Sequence, residues 1–202
     1  MWNKFVVFVL VLLASNLQAQ LTFEGGVFAG GSITQVDGDN AQGFNKLGLS
    51  AGAFVQVNPS EKFGVRLEMG YIGKGSRRPA DPDNNDFQTW GYNFRYINVP
   101  VLADLSFEKF DIIVGPYFGY LISDSQMFNN ETFDIVNPEM LKIDFGGVIG
   151  AEMDFGDNIF LAARYSMSLI PIRPSPDSGN QVRWYDGGMS NIALEILVGY
   201  KF

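Results

Sequence analysis

The last twelve residues, Asn191 to Phe202, alternate strictly. Ile192, Leu194, Ile196, Val198, Tyr200 and Phe202 are apolar and share one parity, while Asn191, Ala193, Glu195, Leu197, Gly199 and Lys201 hold the other. A strand shows successive side chains to opposite faces, so this stretch has one greasy face and one mixed to polar face. The pattern recurs upstream. Alternating runs over 21–33, 46–58, 63–76, 92–107, 110–124, 140–155, 158–170 and 189–202 predict eight strands. Nothing after residue 20 repeats every 3.6 residues, so no helix is expected there.

The connectors carry a second signal. Asn58-Pro-Ser-Glu-Lys62, Glu108-Lys109 and Gly156-Asp157 are short, turn-forming pieces, and long polar segments lie near 34–45, 77–91, 125–139 and 171–188. Long and short alternate throughout. In an up-and-down barrel alternate connectors lie on opposite rims, and outer-membrane barrels keep short turns in the periplasm and long loops outside. The expected fold is therefore all-β, an eight-stranded antiparallel up-and-down transmembrane β-barrel. Its four long loops lie outside, and its three short turns and both termini lie inside.

The N-terminus fits export. Met1-Trp-Asn-Lys4 is a short positive start, Phe5 to Ala14 is unbrokenly apolar, and Ser15-Asn-Leu-Gln-Ala19-Gln20 is polar with a small residue near its end. This is the layout of a secretory signal peptide over 1–19, ahead of a barrel domain over 20–202. Leu17 at the −3 position is bulkier than usual for such a site. As an anchoring helix the apolar run is about half of the roughly 20 residues that span a bilayer. With no Cys after it, lipoprotein anchoring is excluded.

Composition narrows the chemistry. Removal of Lys4 with the signal leaves 13 basic against 22 acidic side chains, a poor balance for a nucleic-acid binder, which needs a basic face. Zero Cys excludes disulfides and thiol chemistry, and zero His removes the commonest general base and metal ligand. Neither a Ser-His-Asp nor a Cys-His constellation can exist, so no catalytic residue, no metal ligand and no cofactor is assigned. A two-carboxylate hydrolase is disfavoured because the inward carboxylates have basic neighbours and little room for substrate. Asp81-Pro-Asp83-Asn-Asn85-Asp86 begins like a calcium loop, but Asp86 stands at the glycine position and Tyr92 at the closing glutamate. A solvated acidic loop is the better reading there, and Asp37-Gly-Asp39-Asn40 is an ordinary turn.

Parity assigns the faces. The outward sets of the third, fifth, sixth and seventh runs carry no charge. A Lys or Arg at the bilayer midplane would cost about 2–4 kcal/mol. On the fourth run Arg95 shares the outward parity but lies twelve residues before Phe107. With strand tilt that is about 30 Å up the barrel, beyond an apolar band of roughly 25 Å. Phe63, Phe107, Phe110, Phe155 and Phe202 all have outward parity beside a short turn or the chain end, where a periplasmic aromatic girdle belongs. Tyr71, Tyr120 and Tyr92 are candidates for the outer girdle. The inward parity carries Arg66, Glu68, Lys74, Asn98, Asp104, Asp111, Lys142, Asp144, Glu152, Arg164, Glu195 and Lys201. An eight-stranded barrel has room inside only for side chains, so these charges must pair. Arg66 with Asp104, and Arg164 between Glu152 and Glu195, are the expected lumen ion pairs, serving to plug the barrel. A soluble lipocalin-like carrier, also eight-stranded, would be apolar inside and polar outside, the reverse of this parity.

Over nearly all of its length after the signal the chain resembles the PorT-like outer-membrane β-barrel family of Bacteroidota. The resemblance rests on Tyr71-Ile-Gly-Lys-Gly75, Tyr96-Ile-Asn-Val-Pro-Val101, Gly115-Pro-Tyr-Phe-Gly-Tyr-Leu-Ile122 and Gly199-Tyr-Lys-Phe202. It departs at Tyr165-Ser-Met-Ser-Leu-Ile-Pro171, where the family often ends the strand in a Gly-Leu-x-Asn sequence. The resemblance implies an outer-membrane barrel and no single activity. The family's founding member is linked to type IX secretion, and no motif here carries that role over. A terminal aromatic such as Phe202 also resembles the signal read by the outer-membrane insertion machinery. The expected partners are outer-membrane lipid, that machinery during biogenesis, and an extracellular or envelope partner met by the outer loops, with no nucleic acid. An accessory of a secretion or assembly machine is the competing expectation.

Overall fold

A computed structural model describes residues 21–39, 41, 43–129, 131–134, 140–173 and 188–202. The expected signal peptide, 1–19, lies outside them. The strands are β1 (Thr22–Asp37), β2 (Lys46–Ser60), β3 (Phe63–Arg78), β4 (Trp90–Ser106), β5 (Asp111–Phe128), β6 (Glu131–Asp134), β7 (Ile143–Phe155), β8 (Ile159–Ser168) and β9 (Ser190–Lys201). Eight of them form one closed antiparallel cylinder. Neighbours in the chain pair in turn, β5 pairs with β7, β4 with β5, and β9 closes on β1. The seam joins the chain's first and last strands, from Gly26 opposite Lys201 to Asp37 opposite Ser190. Closure leaves the cylinder no exposed sheet edge.

Two elements depart from the sequence expectation. The polar segment after β5 contains β6, which pairs with the protruding end of β5 from Ser125 opposite Asp134 to Phe128 opposite Glu131. Alternation over four residues is too short to separate a strand from a loop, and its partner is found only in the folded chain. A single 3₁₀ turn, Pro82–Asn84, lies in the connector after β3, where Pro starts the turn and Asn85 ends it at φ 58°. Short connectors join β2 to β3, β4 to β5 and β7 to β8 at one rim. Gly156 supplies φ +73° in the last of these, and Asn158 hydrogen-bonds the Lys201 carbonyl, tying that turn to the end of β9.

The cylinder is inside-out relative to a soluble protein. Outward side chains such as Phe23, Leu47, Leu49, Val55, Phe118, Ile149, Ile196 and Phe202 are exposed. The interior buries Arg66, Glu68, Lys74, Asp104, Asp144, Glu152 and Arg164 together with apolar clusters. One cluster, with Phe94, Tyr96, Leu121 and Ile172, fills the end with the longer connectors, and a second packs Phe28, Phe54, Phe160, Ala162 and Leu197. Inward glycines make room for the large rings. A Cβ on Gly199 would lie 2.0 Å from the Phe160 ring, and one on Gly146 would lie 2.4 Å from the Tyr117 ring. Tyr92 belongs to this interior, stacked on Phe94 at 5.6 Å, rather than to an outer girdle. It shares the inward parity of Phe94 and Tyr96.

Candidate functional site

The inward charges form two tiers. In the tier nearer the short turns, Arg66 on β3 donates from Nε to Gln56 Oε1 at 2.6 Å. Its two terminal nitrogens meet both oxygens of Glu152 at 2.7 and 3.0 Å, and Nη2 also meets Asp104 Oδ2 at 3.0 Å. The guanidinium lies over the Phe54 ring at 4.6 Å. β2, β3, β4 and β7 are thus joined through one fully buried side chain. Such a forked contact fits a planar guanidinium and would be lost with Lys.

Arg164 stands opposite Glu195 in the β8–β9 register, yet its guanidinium crosses the lumen to Glu68 at 2.7 and 2.9 Å. The expected pairs of Arg164 with Glu152 and Glu195 therefore do not form. Glu152 is taken by Arg66, and Glu195 is 8% exposed with no ion pair among the described residues. The lumen is narrow enough that a long side chain reaches the far wall as readily as its neighbour, and this distance is absent from linear sequence.

The second tier centres on Asp144 of β7. Its Oδ2 accepts from Lys74 Nζ at 2.9 Å and Asn191 Nδ2 at 3.0 Å, and its Oδ1 accepts from Tyr117 Oη at 3.0 Å and Ser168 Oγ at 2.7 Å. The Lys74 ammonium also lies 4.2 Å from the Tyr117 ring centroid. The inward parity of Lys74 and Asp144 was legible in sequence, but their pairing across 70 residues was not. Lys142, placed inward by parity, instead sits at the rim ahead of β7, exposed, 3.7 Å from Asp124.

At the short-turn mouth a cavity of about 690 Å³ is lined by Glu24, Glu61, Asp104, Asp111 and Asp154, with Lys201 the base among them. Asp111, Glu152 and Asp154 bring carboxylate oxygens within 4.8 Å of one another. Lys201 Nζ already supplies the positive charge, at 2.7 and 2.9 Å from Asp154 and 3.5 Å from Glu152. Around this mouth Phe63, Phe107, Phe110, Phe155 and Phe202 are all exposed. Phe107 stacks on Phe110 at 5.2 Å, and the Phe202 amide donates to the Gly25 carbonyl at 2.9 Å.

At the opposite rim Asp86 is neutralised by Arg78 and bridged through its backbone to Asp81, so this loop is held by protein contacts. Asp39, just beyond β1, accepts from the Ala41 amide at 2.7 Å. Burial pushes its carboxyl above the ordinary carboxylate value, against the lowering effect of the hydrogen bonds it accepts.

The comparisons agree with this geometry. The model of the outer membrane protein beta-barrel domain family matches residues 15–173. No curated protein matches the chain in sequence. Among solved structures, Ail, the attachment invasion locus protein of Yersinia pestis, in complex with the heparin analogue sucrose octasulfate, is similar at a TM-score of 0.50 and 13% identity. That alignment covers 89% of this chain and 99% of that one. Neisserial surface protein A is similar at a TM-score of 0.51 and 14% identity, covering 90% and 99%. At such identities the likeness is one of fold.

Proposed function

The chain belongs to the family of outer membrane protein beta-barrel domains, and from that premise we propose that it is a small, non-enzymatic integral barrel with a plugged lumen. In this reading it anchors four extracellular loops for surface interaction or envelope structure. The observation that carries the reading is the division of faces, apolar outside and charge-paired inside. Water-filled passage needs a wider cylinder than eight strands provide. The phenylalanines at the short-turn rim favour that rim as the periplasmic one, which puts the long connectors outside. Residues 1–19 act as the export signal, and Phe202 is read by the insertion machinery. Outer-membrane lipid surrounds the barrel, and no nucleic acid is a partner. The printed names of the two similar structures, an attachment protein and a surface protein, accord with a role for the loops at the cell surface.

Fractionation with a heat-modifiability gel tests this reading. The protein is expected in the outer-membrane fraction and should run faster unboiled than boiled. A soluble, unshifted protein would sink it.

The PorT-like stretches around Tyr71, Tyr96, Gly115 and Gly199 favour a second reading, an accessory of a secretion or assembly machine. It predicts co-purification with envelope proteins and an export defect on deletion, and normal export in a deletion strain would count against it.

A further inference from the structure

Buried inside the cylinder are the bases Arg66, Lys74 and Arg164 and the carboxylates Glu68, Asp104, Asp144, Glu152 and Glu195. All but one of these acids meet a base at 2.7–3.0 Å. Glu68 meets Arg164, Asp104 and Glu152 meet Arg66, and Asp144 meets Lys74. Glu195 is the remainder. It is 8% exposed, and its carboxylate has neither an ion pair nor a hydrogen bond among the described residues.

Glu195 lines a cavity of about 20 Å³ inside the barrel, together with Ser50, Glu68, Asn98 and Arg164. Gly70 and Val148 fix its height. Gly70 stands between Arg66 and Lys74 on β3, and Val148 midway between Asp144 and Glu152 on β7, so the cavity separates the two charged tiers. Asn98, on β4, is four strands from β9 in either direction around the cylinder, and so faces Glu195 across the axis. Asn98 Oδ1 is buried and accepts no hydrogen bond among the described residues. Arg164 Nε also lacks a partner, yet its guanidinium charge is balanced by Glu68.

An unpaired carboxylate in a low-dielectric interior is strongly unfavourable. A water in the cavity would donate to both acceptors and leave the charge in place. A monovalent cation cancels the charge and takes both oxygens as ligands, whereas a divalent ion would leave a surplus positive charge. Carboxylate and amide oxygens are hard donors that suit such ions. A single water needs roughly 10–15 Å³ of such space, so the cavity admits about one body of that size. A small ion stripped of most of its hydration shell fits, and a large one does not.

We propose that Glu195 and Asn98 bind one sodium-sized monovalent cation in the mid-lumen cavity between the two charged tiers. The ion is enclosed as the cylinder closes, and the site is the same whichever rim faces the periplasm.

The test is urea unfolding of the full-length barrel in a non-ionic detergent at neutral pH, refolded and equilibrated in sodium, potassium or choline chloride at one ionic strength. With one site on the folded state, the unfolding constant should fall about tenfold for each tenfold rise in sodium above the dissociation constant. Potassium should give a weaker fall, and choline, too large for the cavity, none. E195Q should unfold alike in sodium and in choline. D157N, which removes an exposed acid at the β7–β8 turn, should keep the sodium response of the parent. A parent equally stable in sodium and choline overturns the cation, whether water or a proton then answers the carboxylate. A sodium response that persists in E195Q, or is lost in D157N, overturns the placement in this cavity, and an equal response to potassium overturns the sodium-sized fit. Should E195Q show no heat-modifiable band, N98A is read in its place. It should need several times more sodium for the same gain, and an unchanged sodium dependence overturns the site.

Discussion

At Asp144 a single buried carboxylate accepts from side chains on β3, β5, β8 and β9 while sitting on β7. A buried ion pair adds little net stability over apolar residues of the same volume, but breaking one from a single side leaves a charge stranded. Lys74→Met is therefore expected to destabilise the barrel by about 3–5 kcal/mol, read from urea unfolding in micelles. Lys74→Met with Asp144→Asn, which removes the stranded charge and keeps an oxygen that accepts, should recover a large part of that loss. If the two losses simply add, the pairing at 2.9 Å contributes nothing. At Asp39 the sign runs the other way. Its folded carboxyl holds a proton more tightly than the unfolded one, so ionisation costs stability as pH rises from about 4 through the raised folded value. Asp39→Asn keeps an acceptor for the Ala41 amide. It should be more stable than the parent at pH 7 and equal to it at pH 3 in thermal melts, and a constant gap across that range would contradict the buried charge.

β6 depends on the protruding end of β5 and touches no other barrel strand through its ladder. Excising residues 129–139 and bridging the ends should leave the heat-modifiable band and the unfolding midpoint within about 0.5 kcal/mol of the parent, as for a surface change. A lost band would mean that β6 is needed to close β5 on β7. The strands themselves follow from period-two alternation, which gave all eight to within a few residues. β1 and β5 run further than expected, to Asp37 and Phe128, because their polar outer ends pair with β9 and β6. Alternation marks a strand where the outward face is greasy, and beyond the apolar band that face turns polar, as at Gln35, Asp37 and Gln126.

For the whole molecule, closure, side-chain filling and charge pairing act together. Planar-bilayer reconstitution is expected to give no steady large-conductance openings, since the interior holds large buried side chains such as Arg66, Tyr96, Tyr117 and Phe160. Stable large channels would show that the lumen opens.

The sequence by itself determined the eight barrel strands, the two faces, the alternation of connectors and the position of the five rim phenylalanines, because each is a local or periodic property of the chain. Only the tertiary structure decided that Arg164 goes to Glu68 and not to Glu195, and that Lys74 meets Asp144. Those choices depend on distances across and around a closed cylinder, where residues nearly a hundred positions apart become neighbours and adjacent residues point away from each other.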